Sequence, residues 1–345
     1  MTTTLTIITE DPVSVPGRVE GERLFVDVAS LEAATGWERK PQGLCRGEIC
    51  VPLRSSTAIE SDGGIDIEAM AQALGRRVVV APAEGIAAMS GNAEDRRAAL
   101  TGLQAPDFHL PDLAGIPRSL SDAAGRKRLV VVFSSWCGCR YDLPGWQALA
   151  DELRDDGLSV LLVALDDSAD DVRPFTDDIT EPVLLDSQHL LSELYAVSNV
   201  PTVIWIDEAA RIVRPNIEAF GTDTFAEITG VSSAPQLDAI RRWVREGELP
   251  LTAEAAAGAV EDLSDDEIDA RLHFRVGAEA RRQGRSSAAE RHLRRAGELA
   301  PLDFSVRRAA MPLLGEDPFG EDFLELYAEW REKGSPYHGL SIERD

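Results

Sequence analysis

Four short apolar runs constrain the middle of this chain more than any other feature: LVVVF at 129–133, LSVLLVAL at 158–165, PVLLD at 182–186 and VPTVIWID at 200–207. Each is too short for a buried helix and too uniformly apolar for a strand with one wet face, so each reads as a strand covered on both sides. Helix-like sequence separates them, at 144–154, 172–179 and 190–195. Strands and helices alternating at this length predict an α/β sandwich around a largely parallel central sheet.

The 345 residues leave room for more than that one domain. The pattern changes near residues 95 and 250, which predicts an N-terminal α+β domain (1–95), the central α/β domain (96–249) and a helical segment (250–345). The first part holds a weak internal repeat: VDVASLEAATG at 26–36 realigns on IDIEAMAQALG at 65–75, with Asp27 over Asp66 and Gly36 over Gly75. Each copy reads as a strand, an Asp at a helix start, an apolar helix face and a Gly stop. This layout resembles the strand and helix half-repeats of the copper amine oxidase N-terminal-like domain, a module that mostly mediates binding. In the last part Gly277, Ala289, Leu293, Ala296 and Pro301 fall where one 34-residue tetratricopeptide (TPR) unit places its small, apolar and terminating residues. A single such unit rarely stands alone, so these helices are expected to pack on the central domain, on a second copy of the chain or on a protein partner.

Charge narrows the partners. Thirty-five Lys and Arg against 60 Asp and Glu leave −25, a field that repels phosphate backbones and anionic lipid surfaces, which argues against nucleic acid and membrane as partners. No apolar run approaches the ~20 residues that span a bilayer, and the opening MTTTLTIITEDP has neither a basic nor an apolar leader segment, so a cytoplasmic location is expected. The four cysteines are too few for a disulfide-built scaffold, yet they form two close pairs, Cys45 with Cys50 and Cys137 with Cys139. Close pairs in a reducing compartment point to redox chemistry or metal. A CxC and a CxxxxC lack zinc-site spacing and the five histidines show no ligand spacing, so no metal and no cofactor is expected.

The second pair carries the chemistry. The run LVVVF leads into SSWCGCRYDLPGWQ, which sets Trp136, Cys137, Gly138 and Cys139 between a strand end and a helix start, where open α/β sheets place their sites. Unpaired N–H groups at a helix start favour thiolate over thiol, and Arg140 adds a cation. Cys137 is therefore the expected nucleophile, Cys139 its resolving partner, and Trp136 a shield.

From about residue 105 to 247 the chain resembles the redoxin branch of the thioredoxin-fold superfamily, which includes TlpA/ResA-type thiol-disulfide oxidoreductases and AhpC/TSA peroxiredoxins. The lead-in APDFHLPDLAGIPRSLSD, the strand and WC, the CR..LP continuation, LLVALDDSADDV, LYAVSNVPTVIWID and the trailing ARIV occur in order. The resemblance implies a thioredoxin-like central domain, a cis Pro201 facing the thiols, and a substrate platform of Val200, Pro201 and Thr202. It implies exchange with a protein or small-molecule thiol or disulfide. Cys45 and Cys50 are a candidate second redox pair or two ordinary thiols.

The departures from the family pattern matter as much. The usual motif is WCxxC, and here one residue fewer separates the cysteines. Residues i and i+2 lie about 200° apart around a helix, so a Cys137–Cys139 bond requires a tight turn at Gly138 and a helix that begins later. Thioredoxins often carry a buried carboxylate six residues before the first cysteine, and Val131 stands there. Asp142 reads as a solvated helix residue. A peroxidase alternative would use Ser134 with Cys137 in a PxxxTxxC-like arrangement, but Val130 occupies the proline position. A non-catalytic interaction or metal-handling scaffold is the alternative from a different class.

Overall fold

A computed structural model describes residues 2–53, 59–61 and 64–340. The chain divides into two compact units, one made of Met1–Arg96 with Ser264–Pro301 and the other of Arg97–Leu263 with Leu302–Asp345. The helical stretch after residue 250 is thus shared: its hairpin Asp265–Arg282 and Ser286–Leu299 belongs to the first unit, and its helices Phe304–Leu314 and Glu321–Glu332 to the second.

In the first unit a seven-stranded sheet runs in the order Glu60–Ser61, Gly64–Asp66, Arg23–Val26, Pro12–Glu20, Thr3–Ile8, Ile86–Asn92, Arg76–Ala81. The two repeat copies lie side by side, because Arg23–Val26 pairs antiparallel with Gly64–Asp66. Each copy turns from strand to helix at its aspartate. Asp27 accepts from the Ser30 N–H at 2.7 Å to cap Val28–Thr35, and Asp66 accepts from Glu68 at 2.9 Å to cap Ile67–Ala73. Leu31 and Met70, the equivalent apolar positions, are both fully buried in the core beneath the sheet.

The hairpin in this unit packs closely because Gly277 has no side chain. A Cβ there would stand 2.8 Å from Leu293 Cγ and 3.2 Å from the Ala289 carbonyl oxygen. Gly277→Val is therefore expected to force the helices apart and to cost roughly 1–3 kcal/mol, read as a lower urea midpoint for the full chain. An unchanged midpoint would mean that the helices are not seated against each other at this spacing.

The second unit is built on a five-stranded sheet in the order Val183–Leu185, Leu158–Ala164, Lys127–Phe133, Thr202–Ile206, Ile212–Ile217. The first three strands are parallel, with Val131 opposite Leu162, and the last two are antiparallel additions, with Val131 opposite Val203. The sheet is therefore mixed rather than largely parallel: Thr202–Ile206 and Ile212–Ile217 join through the tight 207–211 turn, too short for a crossover. Side chains of the central strand from Arg128 to Phe133 are all buried, as its apolar run requires. The expected helix over 172–179 is shorter and earlier, Ala169–Val172 followed by a 3-10 turn Arg173–Phe175. Pro174 explains this, since it cannot donate to the helix ladder and favours a helix start. Helix Leu143–Leu153 lies against Leu158–Ala164 and opens on Pro144. Among the described residues no helix is long and apolar enough to cross a membrane.

Candidate functional site

The central strand Lys127–Phe133 and its parallel neighbour Leu158–Ala164 end together, and a buried carboxylate ties the two ends. Asp166 is 2% exposed and accepts from the Ser134 hydroxyl at 2.9 Å and from the Ser135 N–H at 3.0 Å. Burial pushes its carboxyl up to about 6, although the Ser135 and Ser134 donors act in the opposite direction. Trp136 adds a third tie, its indole N–H donating to the Leu165 carbonyl at 3.3 Å. Sequence reasoning looked for a buried acid six residues before Cys137, on the same strand, and so missed Asp166 on the neighbour. The signal was LVALDD, an Asp directly after a buried strand parallel to the cysteine-bearing one.

Beyond this anchor the backbone solves the short cysteine spacing. Cys137 is extended, with φ −114° and ψ 144°, Gly138–Asp142 form a 3-10 turn, and the regular helix waits until Leu143. Cys137 and Cys139 are disulfide-bonded with Cα atoms 5.2 Å apart, and the Cys139 N–H points at Cys137 Sγ from 3.2 Å. Gly138 makes this turn without a positive φ. What it contributes is an absent side chain, since a Cβ would lie 3.0 Å from the Phe225 ring covering it. Both cysteines are about 95% buried.

The Val200–Pro201 peptide is cis and stands over the disulfide, with Cys137 Sγ 3.6 Å from the Val200 carbonyl oxygen. The other two groups of the expected platform are already engaged. The Val200 N–H donates to Asn199 Oδ1 at 2.8 Å, and the Thr202 hydroxyl, fully buried, bonds to the Asn199 carbonyl at 2.7 Å and the Tyr337 hydroxyl at 2.6 Å. This leaves the Val200 carbonyl as the platform's backbone acceptor. The loop before it is held by the C-terminal segment: Phe304 N–H donates to Ser198 O at 2.9 Å, and Ser305 Oγ donates to Val197 O at 3.0 Å.

One neighbour of the motif differs from expectation, and a second is tied to the backbone. Asp142 is not solvated but 1% exposed, taking the Thr222 N–H at 2.9 Å and hydroxyl at 2.7 Å. The 3-10 turn rotates it inward, and burial pushes its carboxyl up to about 6. Arg140 is beside the cysteines, but its hydrogen bonds go to the Ser135 carbonyl and, at 3.1 Å, to the Tyr141 hydroxyl. Arg308 also reaches this corner, its guanidinium carbon 5.9 Å from the Trp136 ring centre, a contact no local sequence signal foretold.

With this geometry in view, the chain matches the AhpC/TSA family model over residues 101–214. It is 38% identical over 117 residues to the thioredoxin-like protein YneN of Bacillus subtilis, spanning 32% of this chain and 68% of that one. The chain belongs to the AhpC/TSA redoxin family. A second relative, thiol-disulfide oxidoreductase ResA of Geobacillus thermodenitrificans, is 27% identical over 123 residues, 35% of this chain and 71% of its own. Among solved structures, a thiol:disulfide interchange protein DsbE from Chlorobium tepidum is 29% identical with a TM-score of 0.31, covering 33% of this chain and 82% of its own. The family match falls on the strands and loops that carry the WCGC motif and the cis proline.

The other cysteine pair sits in the first unit, directly across two strands: Cys45 on Gly43–Arg46 is paired in register with Cys50 on Ile49–Val51 and bonded to it. Cys45 is fully buried and Cys50 is exposed. No group of three or more His, Cys, Asp or Glu among the described residues is placed to hold a metal ion.

The raised carboxyl of Asp142 makes a pH prediction. Its folded value near 6 exceeds the ordinary 3.8, so the folded protein holds this proton more tightly than the unfolded chain. That stabilisation is complete below pH 4 and is lost as pH rises from about 4 through 6, by up to about 3 kcal/mol. Asp142→Asn, whose Oδ1 still accepts from Thr222, should match wild type at pH 4 and exceed it in urea midpoint at pH 7.5. Equal midpoints at both pH values would place the ionised carboxylate in a solvated setting.

Proposed function

We propose that this protein is a thiol-disulfide oxidoreductase whose working couple is Cys137–Cys139. The observation that carries the reading is a bonded CxC pair on a strand end with a cis-proline loop standing 3.6 Å from the first sulfur. In the reducing direction the Cys137 thiolate attacks one sulfur of a substrate disulfide, forms a mixed disulfide and expels the other substrate sulfur as thiolate. The Cys139 thiolate then attacks Cys137 Sγ, releases the second substrate thiolate and closes the Cys137–Cys139 bond. Two electrons pass from enzyme to substrate, and the two thiol protons end on the product thiols. The reverse sequence oxidises a substrate dithiol. Trp136, buried and directly before Cys137, is the proposed shield of the couple, and the Val200 carbonyl receives an N–H of an extended substrate.

Ser134 argues for exchange over the peroxidase alternative. A peroxide-binding hydroxyl must be free to face the thiol, whereas this one is fully buried and donates to Asp166.

In the cytoplasmic setting expected from the sequence, lasting disulfides are rare, so both pairs would cycle. Cys50 is then the sulfur an incoming thiolate reaches first, because Cys45 is buried. The TPR-like reading of the helical stretch is supported by the small residues Gly277, Ala289 and Ala296 of one hairpin, where their role is close packing. Protein or small-molecule disulfides are the proposed substrates.

The test is trapping. Cys139→Ser should accumulate mixed disulfides through Cys137 when presented with a disulfide substrate, and Cys137→Ser should accumulate none and lose exchange by at least about a hundredfold. Adducts on Cys139 in the Cys137→Ser protein, at wild-type rate, would reverse the roles.

A further inference from the structure

Two arginines share the Phe319 ring beside the WCGC motif, and among the described residues neither is paired with an acidic side chain. Arg140 lies one residue beyond Cys139, its guanidinium carbon 4.5 Å from the ring centre of Phe175 and 4.8 Å from that of Phe319. Arg308, 7% exposed on helix Phe304–Leu314, lies 5.1 Å from the same Phe319 ring and 3.7 Å from Phe323. Among the described residues its one protein hydrogen bond runs from Nε to the Pro318 carbonyl at 3.0 Å, which leaves both terminal nitrogens without an acceptor. Neither arginine forms an ion pair among the described residues. Elsewhere in this acidic chain arginines do: Arg77 with Asp269 and Asp265, Arg241 with Glu152 and Asp238.

Such an arrangement costs stability. Burial and the neighbouring Arg140 charge push the Arg308 guanidinium down to about 9, and no carboxylate opposes them. Stacking on aromatic faces recovers only part of that cost. A carboxylate placed across the two guanidinium groups would supply the missing charge and accept the unused forked donors in a bidentate fashion, which point-charge cations match less well. The corner is reachable, since Phe319 is 42% exposed and Tyr141, beside Arg140, is 49% exposed.

We infer that Arg140 and Arg308 form an anion subsite next to Cys137 that selects disulfide substrates bearing a carboxylate close to the reacting sulfur. This rests on the exchange reading above. The carboxylate belongs either to a small thiol or to an acidic residue beside a protein cysteine, and the chemistry of recognition is the same.

The overall charge makes the test sharp, because a net −25 by itself draws in cationic substrates and repels anionic ones. Reduced full-length protein is mixed with 3,3′-dithiodipropionate, 2-hydroxyethyl disulfide or cystamine, which are anionic, neutral and cationic. Oxidation of Cys137 and Cys139 is followed by acid quench and thiol mapping, and each rate is divided by that of dithiothreitol with the same disulfide. The subsite predicts dithiodipropionate first, by about tenfold over the neutral disulfide at low salt, with the advantage shrinking at 0.5 M salt. Arg308→Gln and Arg140→Gln should each bring that ratio towards one, and Arg308→Lys should keep part of it. Should Arg308→Gln not fold, the wild-type ranking and Arg140→Gln decide. Peptide disulfides with Asp or Asn beside the cysteine then separate the sources: preference for the Asp peptide assigns a protein substrate, and preference confined to dithiodipropionate a small one. Equal normalised rates, or cystamine fastest, would overturn the subsite. Failure of all three disulfides to oxidise the pair would overturn the exchange reading and the subsite with it.

Discussion

Two cysteines separated by one residue cannot share a helix face and still bond, and the end of the central sheet is arranged around that constraint. The backbone stays extended through Cys137, turns as a 3-10 segment over Gly138–Asp142 and becomes a regular helix only at Leu143. Each neighbour follows from that delay. Gly138 meets Phe225 where a side chain would crowd the ring, and Asp142 is rotated inward onto Thr222. Arg140 is carried to a corner it shares with aromatic rings and Arg308.

A turn of this kind needs fixed ends. On one side Asp166 gathers the Ser134 and Ser135 donors and holds the strand end from which Cys137 projects. On the other, the cis-proline loop is bonded to Phe304, Ser305 and Tyr337, residues more than a hundred positions later in the chain. The fold therefore spends buried polar groups to position two sulfurs. The carboxyl values near 6 for Asp166 and Asp142 register the cost of desolvating those groups.

What could be read in advance follows the range of the interactions. The strands at 127–133, 158–164 and 202–206 were legible because burial on both faces writes a continuous apolar run. The motif end of the site, Trp136 to Cys139, was legible from the strand that precedes it and the helix that follows. Asp27 and Asp66 announced helix starts because capping is local. Asp166 was missed because its partners lie 31 and 32 residues away across the sheet, and the inward turn of Asp142 because a 3-10 segment leaves no periodic signature. Arg308 and Tyr337 reach the site through tertiary packing alone. The division of the last helices between two units was equally invisible, since helix propensity says nothing about which core a helix joins.

The central claim is that Cys137 and Cys139 act as one two-electron couple, and it is tested most directly by a glutathione redox titration of the full chain with mass-spectrometric mapping of every cysteine. The account predicts that both thiols of this pair disappear together along a single two-electron curve, with no lasting glutathione adduct on either. Cys137 glutathionylated while Cys139 stays reduced, or a Cys137–Cys139 bond that does not respond to the glutathione ratio, would contradict it.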